Sequence, residues 1–555
     1  MIHNPIIPGF NPDPCICRKG DDFYLAVSTF EWFPGIPVYH SKDLKNWELY
    51  THVLTDDEKV DLKKLPSAKG IWAPCLTYCE ADDLFYVVYG VMNSMNARYF
   101  DIDNFMITAK DITGPWSEPV YLHSAGFDAS MFHDDDGRKY VVSLDWETRE
   151  NYEKPGAICL VEYDPVKKEI VGYPKRIWWG GTDRGCIEAP HLTKRGKYYY
   201  IMCAEGGTGY NHCVTMGRST KVDGPYVKDP VNPILTSRPG YSYERHDPDH
   251  LKPKYYNPDI LLQKAGHGSY VEIPNGETYM VFHCARPFVP ELRCTLGRET
   301  AIQRMKWTED GWLRTIDDDS LVREEVDESG LPETLMPVLP AFDDFDKEEL
   351  GNFYYAPRIM PQRFVDLKSR PGFLRMRGQE SRTSLNKVSI LARKLTSVYA
   401  RVTTKMDFCP EMPQHSAGLI LYYDNMNYLY LRKYYSETLE RNALLIIRME
   451  NGVRVEYLDE RTPVEDGFVW MRIYIEGRRC WFEWSIDGEQ YQKIGPDFDT
   501  TKYSDEYCRY GEFTGTMVGI TCADRVRHRH YADFDFLEYI ADETKWPSDS
   551  VLPSL

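Results

Sequence analysis

The sequence predicts an all-β protein in which an N-terminal five-bladed β-propeller precedes a C-terminal β-sandwich of the jelly-roll type. Two observations carry this prediction. Five strand-like runs, each with a tyrosine, recur at intervals of about 55–80 residues within the first 330 residues. The second half keeps a strand-forming composition without the repeat. A chain of 555 residues is also too long for a single hydrophobic core, so at least two domains are expected.

Each repeated run begins at a turn of Asp, Gly or Asn and continues with β-branched or aromatic residues, which is typical of hairpins. The repeat tyrosines are Tyr24, Tyr86, Tyr140, Tyr199 and Tyr279. A second element that ends in an aromatic residue recurs at 41–47, 109–116 and 219–226. All-β repeats without intervening helices are typical of propellers, and five copies predict five blades over residues 1–325.

The register of the repeat locates the channel. Stepping back 11 or 12 residues from the repeat tyrosines leads to the strand that precedes each first hairpin. In a propeller this strand is the innermost one, and equivalent positions converge on the central axis. The positions reached are Asp13, the Pro74–Cys75 pair, Asp128, Glu188 and His267. We therefore expect three carboxylates and a histidine to face one another across the channel.

The second half reads as a sandwich. Strands are predicted at 373–376, 418–423, 443–447, 469–475 and 480–484. Several of them alternate apolar and polar residues, as half-buried antiparallel strands do. The segment 324–345 is rich in acidic residues and proline. The prediction is therefore a linker over 326–341 and a sandwich over 342–545 that helps to close the active site.

The composition excludes several classes of partner. A net charge of −19 argues against nucleic acid and against an anionic membrane surface. No stretch approaches the roughly 20 apolar residues that span a bilayer. The N-terminus has neither the basic region nor the apolar region of a signal peptide, so a cytoplasmic location is expected. The 14 cysteines include no Cys-x-x-Cys pair and read as buried thiols in a reducing compartment rather than zinc ligands.

Each channel carboxylate, taken alone, is compatible with a structural role. Asp13 lies between two prolines, which rigidify it. Asp128 lies in an apolar run, where an unpaired charge is costly. Glu188 has an apolar flank that should raise its pKa, as a general acid requires. Three carboxylates in matching register on three inner strands are not expected by chance. Glycosidic bond cleavage needs an acid and an opposing base or nucleophile, and a third carboxylate can orient the acid and tune its pKa.

A set of motifs in the same order resembles glycoside hydrolase family 43, in particular its two-domain β-xylosidases, over essentially the whole chain. The motifs are Gly-Phe-Asn-Pro-Asp-Pro (9–14), Ser-Thr-Phe-Glu-Trp-Phe-Pro-Gly (28–35), Ile-Trp-Ala-Pro (71–74), Gly-Phe-Asp-Ala-Ser (126–130), Glu-Ala-Pro-His-Leu (188–192), Ala-Glu-Gly-Gly-Thr (204–208), Gly-His-Gly-Ser (266–269) and Leu-Gly-Arg-Glu-Thr-Ala-Ile-Gln (296–303).

The resemblance implies roles for the charged residues. Asp13 matches the general base that activates water, Glu188 the general acid, and Asp128 the residue that orients Glu188 and sets its pKa. The stereochemical outcome would be inversion. Arg298 matches the family arginine that contacts substrate hydroxyls, and Arg286 is a second candidate for that role.

The resemblance also implies a closed sugar pocket. Its apolar walls would be Phe30, Trp72, Phe127 and Trp146, with Thr208 as a polar contact. The segment Arg-Tyr-Gly-Glu-Phe-Thr-Gly (509–515) matches the part of the sandwich that sends Phe513 into the site. A closed pocket accepts a chain end, so the implied activity is exo, with release of one xylose at a time from xylo-oligosaccharides.

No cofactor is required by this chemistry. In relatives the histidine that matches His267 lies near a central water or a bound Ca²⁺, although calcium prefers oxygen ligands. Two features depart from the family. Cys75 stands where an aspartate is common, and 236–265, with Arg245-His246-Asp247-Pro248-Asp249-His250, is longer than usual. That stretch could serve as a lid, a subsite, an oligomer contact or a metal site.

Three functions remain open from the sequence. The leading one is a β-1,4-xylosidase acting at non-reducing ends. The nearest rival is an α-L-arabinofuranosidase or an enzyme with both activities, because both substrates are pentosides of similar shape. A non-catalytic propeller that binds a ligand is the distant alternative, since fold alone does not give function. By analogy with relatives, a homodimer or homotetramer is expected.

Overall fold

The computed structural model describes residues 1–95, 100–145, 156–238, 256–510 and 512–547. Within these residues the chain is built of strands. The helices that it contains are single 3₁₀ turns at Pro361–Arg363, Leu458–Glu460 and Thr500–Lys502. None of these helices has the length and apolar character that crossing a membrane demands. The predicted all-β class is confirmed.

Five antiparallel sheets, each made of consecutive strands, form the N-terminal propeller. Blade I contains Cys15–Lys19, Asp22–Ala26, Gly35–Ser41 and Glu48–Leu54. Blade II contains Gly70–Cys79, Leu84–Ser94, Asp101–Ala109 and Val120–His123. Blade III contains Ser130–His133, Lys139–Asp145, Ala157–Asp164 and Glu169–Trp178. Blade IV contains Glu188–Arg195, Tyr198–Glu205, Cys213–Ser219, Val227–Lys228 and Leu235–Thr236. Blade V contains Gln263–Glu272, Thr278–Ala285, Glu299–Trp307 and Leu313–Thr315.

The predicted register holds in the backbone. Each repeat tyrosine lies on the second strand of its blade and pairs with the innermost strand, as Tyr24 does with Cys17 and Tyr140 with Phe132. A residue with a positive φ recurs where each inner strand begins or is interrupted by a bulge. These residues are Asp13 (57°), Ala73 (41°), Asp128 (54°), Ala189 (51°) and His267 (51°). The repeated kink turns the adjacent side chains toward the channel.

Backbone hydrogen bonds of the N-terminal segment join the two ends of the propeller: Ile7 and Thr300 exchange two of 3.1 Å, and the Asn11 N–H donates to the Arg298 carbonyl at 2.9 Å. Because every blade is contiguous in sequence, no blade sheet mixes strands from the two ends of the domain. The short strand Ile2–His3 pairs with Glu325–Val326 beside the propeller. Apolar residues of blades I and V pack together around Phe23 and Tyr279. Closure of the propeller therefore uses both the backbone pairing of the N-terminal segment and side-chain packing between blades I and V.

Two facing antiparallel sheets form the C-terminal sandwich. The first contains Phe342–Asp343, Val365–Asp366, Leu374–Arg377, Tyr399–Asp407, Phe468–Glu476, Arg479–Ser485, Gln492–Asp499 and Tyr531–Ala541. The second contains Ser389–Lys394, His415–Asp424, Asn427–Ser436, Arg441–Glu450, Val453–Glu456, Thr462–Pro463 and Met517–Asp524. Alternate residues such as Val402, Ile473 and Leu431 face inward and build a core between the sheets. The predicted β-sandwich is confirmed.

The two domains share a tight interface. Strand Ala356–Pro357 adds to Trp32–Phe33 of blade I as a two-stranded sheet. Two glycines let the backbones approach closely at a second place. A Cβ on Gly297 would lie 2.4 Å from the Thr514 carbonyl oxygen, and a Cβ on Gly515 would lie 2.4 Å from that of Leu296. No larger residue fits there without moving the segment that carries Phe513.

Candidate active site

Three buried carboxyl groups lie at the channel ends of inner strands. Asp13 and Asp128 each precede the innermost strand of their blade by two residues, and Glu188 begins the innermost strand of blade IV. Their side chains are largely withdrawn from solvent, with 9% of Asp13 and 14% of Glu188 exposed. Ionisable groups at such depth need partners, and the partners of the three differ.

Asp13 is surrounded by donors. Its Oδ1 accepts a hydrogen bond from Arg298 Nη1 at 2.8 Å and lies 3.2 Å from His283 Nδ1. Its Oδ2 accepts a hydrogen bond of 2.6 Å from the Ser28 hydroxyl. That hydroxyl itself accepts from the Ala73 N–H at 2.7 Å, which directs its proton at Asp13.

These contacts fix the charge of Asp13. Burial opposes ionisation, but the Arg298 guanidinium, the hydrogen bond with His283 and the nearby His267 together outweigh it and hold the pKa of Asp13 well below its ordinary value. Asp13 is therefore an ionised carboxylate at neutral pH. A general base must be in this state.

Glu188 is in the opposite condition. Burial, the neighbouring Asp128 carboxyl and the charge of Asp13 raise its pKa well above the ordinary value, and Arg298 opposes them only in part. Its Oε1 is buried without a hydrogen-bond partner, and the nearest ring nitrogen, His212 Nδ1, is 3.9 Å away. A protonated carboxyl group with a free oxygen is suited to donate its proton to a bound substrate.

Asp128 interacts with both Asp13 and Glu188. Its Oδ2 accepts a 3.0 Å hydrogen bond from the backbone N–H of Ala189, the residue after Glu188. Burial and the charge of Asp13 raise the pKa of Asp128, against the Ala189 N–H and Arg298. Asp128 thus fixes the backbone next to Glu188 and adds a carboxyl group whose charge disfavours ionisation of Glu188.

Trp72 is the centre of an aromatic wall above the carboxyl groups. Its ring meets Phe30, Phe127 and Phe513 edge to face, with centroid separations of 5.9, 5.9 and 5.7 Å. Its indole Nε1 donates to the Ala68 carbonyl at 3.0 Å, which sets the ring orientation. The structure brings these four sequence-predicted aromatic residues together.

Phe513 comes from the sandwich. Its backbone has a φ of 71°, and its carbonyl oxygen accepts a 3.3 Å hydrogen bond from Arg298 Nη2. The Arg298 guanidinium also lies 5.4 Å from the centre of the Phe513 ring. Arg298 therefore contacts both Asp13 and Phe513, and its Nε is buried without a hydrogen-bond partner.

Arg286 lies elsewhere. It forms two hydrogen bonds of 2.7 Å with both oxygens of Glu299, and its guanidinium stacks 4.6 Å from the centre of the Trp546 ring. Glu299 Oε1 also accepts from the Gly9 N–H at 2.9 Å. Arg286 thus holds the start of the motif that contains Asp13, and its donors are used in that ion pair rather than aimed at the carboxyl cluster.

The other predicted site residues are less central. Thr208 is half-buried in the turn after Tyr198–Glu205. Trp146 lies outside the described residues, as does 239–255, the greater part of the 236–265 stretch with Arg245-His246-Asp247-Pro248-Asp249-His250. Cys75 does face the channel, where its Sγ lies 3.9 Å from that of Cys15.

His267 lies beside Asp13, with the His267 Nδ1 3.5 Å from Asp13 Oδ1. Burial lowers the pKa of His267 to about 4. Asp13, His267 and His283 group three donor atoms. This set does not suit calcium, which takes six to eight oxygen ligands. It offers two imidazoles and one carboxylate, and that carboxylate already accepts from Arg298.

Three polar residues at the site were not predicted from the sequence, although Ser28 begins the motif at 28–35. Ser28 and His283 contact Asp13 directly. His212 stacks on His283 with a centroid separation of 4.9 Å, and burial keeps both rings neutral by lowering their pKa values. For His283 the available signal was a lone histidine in the otherwise apolar strand Thr278–Ala285. The register of the inner strands could not locate His283, because this residue lies on the second strand of its blade.

The comparisons with known proteins agree with this geometry. Residues 2–313 match the model of glycosyl hydrolases family 43, and residues 342–540 match that of the β-xylosidase C-terminal concanavalin A-like domain. A β-xylosidase of Bacillus subtilis (strain 168) is 39% identical over 97% of this chain and 99% of its own length. Xylosidase/arabinosidase 43B of Humicola insolens is 37% identical over 99% of each chain.

A solved structure matches over nearly the whole length. The xylan β-1,4-xylosidase of Bacillus halodurans C-125 superposes with a TM-score of 0.91 at 42% identity, over 97% of this chain and all of the other. Both domains are thus shared in sequence and in architecture, and the ionisable cluster lies inside the matched propeller. The chain belongs to glycosyl hydrolase family 43.

Proposed function

We propose that this protein is an exo-acting β-1,4-xylosidase that releases xylose from the non-reducing end of xylo-oligosaccharides with inversion of configuration. The observation that carries the proposal is the opposite surroundings of two buried carboxyl groups in one site: Asp13 is surrounded by donors, whereas Glu188 Oε1 has no hydrogen-bond partner. Asp13 is held ionised by Arg298, and Glu188 is held protonated by burial and by Asp128. Inverting hydrolysis needs this pair, one group to activate water and one to protonate the leaving oxygen.

Asp13 acts as the base. Arg298 and His283 occupy Oδ1 of Asp13, whereas Oδ2 has the Ser28 hydroxyl as its one hydrogen-bond partner among the described residues. A carboxylate oxygen can accept two hydrogen bonds, so Oδ2 keeps one position for the attacking water. The water gives a proton to Oδ2 as its oxygen attacks the anomeric carbon.

Glu188 acts as the acid. Its unpartnered Oε1 takes the glycosidic oxygen as hydrogen-bond acceptor, and the proton moves to that oxygen as the bond to the anomeric carbon breaks. Asp128 then disfavours the ionised form of Glu188 until it is reprotonated. Neither carboxyl group forms a bond to the sugar, and hydrolysis needs no cofactor.

The closed aromatic wall supports exo action. Trp72 and Phe513 meet above the carboxyl groups, and Phe513 belongs to the other domain. A wall to which both domains contribute favours a pocket that admits one terminal sugar ring over a groove that is open at both ends. The flat rings suit the faces of a pyranose, and the buried Arg298 Nε is available to its hydroxyl groups.

The name of the Humicola insolens relative, xylosidase/arabinosidase, favours α-L-arabinofuranosidase activity as a second candidate. Rates on the 4-nitrophenyl β-D-xyloside and α-L-arabinofuranoside separate the two. We expect the xyloside to be hydrolysed faster. A marked preference for the arabinoside would overturn the proposal.

The stereochemistry has its own test. NMR spectra recorded during early hydrolysis should show α-xylose before mutarotation. β-Xylose as the first product would contradict inversion and would assign a covalent role to one of the carboxylates.

A further inference from the structure

A second ring of side chains lies one step along the inner strands from the carboxyl cluster. Two residues after each recurrent positive-φ position, the five strands carry Cys15, Cys75, Ser130, His191 and Ser269. Alternate residues of a strand share a face, so this ring faces the same channel. Four of its five residues are at most 4% exposed, and His191 is half-buried.

Two thiols meet in this ring from different blades. Cys15 Sγ of blade I lies 3.9 Å from Cys75 Sγ of blade II. Cys15 Sγ also accepts from the Leu76 N–H at 3.3 Å and from the Ser269 hydroxyl at 3.8 Å. Several donors aimed at one sulfur favour its thiolate form, which is the form that binds metals.

An imidazole completes the group. The ligand atoms of Cys15, Cys75 and His191 all lie within 4.8 Å of one another. In a tetrahedral zinc site with Zn–S bonds of about 2.3 Å, two thiolates are about 3.8 Å apart. The two sulfurs already have nearly this separation, and a His191 ring nitrogen lies within 4.8 Å of both.

We propose that Cys15, Cys75 and His191 bind one Zn²⁺ ion in the propeller channel, with a water as fourth ligand. Two thiolates and an imidazole are ligands that zinc prefers and calcium does not. Binding replaces the two thiol protons, which leave to solvent, so the ion and two thiolates are neutral together. The ion therefore leaves the charge balance around Asp13 unchanged, and its role is structural.

The position of the proposed zinc ion among the blades indicates a stabilising role. It cross-links blades I, II and IV in a propeller whose blades are each contiguous in sequence. A ligand that binds the folded state alone raises stability in proportion to the logarithm of its concentration over its dissociation constant. Zinc should therefore raise the melting temperature without changing kcat.

The test uses the full chain without an affinity tag, reduced and stripped of metal under anaerobic conditions, then given Zn²⁺ or Co²⁺ alone. We expect one zinc retained per chain after dialysis, a thiolate-to-cobalt charge-transfer band, and a melting temperature several degrees higher with zinc. Cys75→Ser and His191→Gln should lose all three responses. Cys203→Ser is the matched control, because Cys203 is a buried thiol of blade IV outside the group.

Two results would overturn the proposal. One is zinc retention that is equal in the wild type and in Cys75→Ser, or absent from both. The other is a Cys15–Cys75 disulfide, seen as 12 rather than 14 titratable thiols in the denatured protein purified from a reducing extract. Xylosidase turnover, measured in parallel, shows that each variant is folded.

Discussion

Arg298 donates a 2.8 Å hydrogen bond to the carboxylate of Asp13, and both side chains are buried. A charged pair at this depth is stable because each group compensates the other. The pair also decides which of the three channel carboxyl groups is ionised.

Replacing Arg298 by Met should impair the base. Without the guanidinium, burial dominates and the pKa of Asp13 rises, so the acidic limb of the kcat/KM profile moves to higher pH. We expect kcat/KM to fall by about 10²–10³-fold at neutral pH. The pH dependence of kcat/KM on the nitrophenyl xyloside measures both effects.

Arg286→Met is the matched control for that change. It removes a buried arginine that pairs with Glu299 and does not contact Asp13. It should lower the melting temperature and leave the acidic limb in place. An acidic limb that moves equally in both variants would contradict the separate positions of the two arginines.

Asp128→Asn should move the basic limb. The Asp128 carboxyl is a cause of the raised pKa of Glu188, so its neutral replacement lets Glu188 ionise at lower pH. Activity needs Glu188 protonated and is lost as pH rises through its pKa. The basic limb of kcat/KM should therefore shift to lower pH, while the acidic limb set by Asp13 stays. A basic limb at unchanged pH would show that Asp128 does not tune the acid.

Glu188→Gln should remove proton donation alone. The amide keeps the shape of the side chain but has no acidic proton, so kcat on xylobiose should fall by about 10²–10⁴-fold. The loss should be much smaller on a dinitrophenyl xyloside, because that leaving group departs without protonation. An equal loss on both substrates would argue against Glu188 as the acid. Asp13→Ala provides the contrast, since both substrates need the activated water.

Phe513→Ala should open the pocket. The ring closes against Trp72 at a centroid distance of 5.7 Å. Its loss should raise KM more than it lowers kcat, with kcat/KM reduced about 10–100-fold, because contact with the bound sugar is lost. Tyr510→Ala is the control, since Tyr510 is 52% exposed on the same segment. Equal KM values for Phe513→Ala and Tyr510→Ala would show that Phe513 does not contact the bound sugar.

Lys394→Met should change how stability depends on pH. Lys394 donates a 2.7 Å hydrogen bond to Asn11, two residues before Asp13, and burial lowers its pKa to about 7. The unfolded chain binds this proton below about pH 10.4, so the folded state loses stability as pH falls from there to about 7. The Met variant lacks that loss. As pH falls through this interval, the melting temperature of the Met variant should rise relative to that of the wild type, and the difference should level off at lower pH. A difference in melting temperature that does not change with pH would contradict the prediction.

The sequence by itself determined the fold class and the placement of the three channel carboxyl groups. Strand periodicity and turn chemistry are local properties, so five repeat tyrosines predicted five blades and the register placed Asp13, Asp128 and Glu188 on inner strands. The motif match supplied Phe513, because both domains of the family occur in one chain.

The tertiary structure decided everything that depends on which strands meet. Arg298 and Arg286 are both buried and lie close together in sequence, yet packing between blades V and I brings Arg298 to Asp13, whereas Arg286 pairs with Glu299 inside blade V. His283 also reaches Asp13 from blade V, whereas Ser28 reaches it within blade I. Cys15 and Cys75 lie far apart in sequence and lack the spacing of a zinc motif, yet propeller closure brings their sulfurs within 3.9 Å. Contacts of this kind arise from packing between blades, which no local pattern encodes.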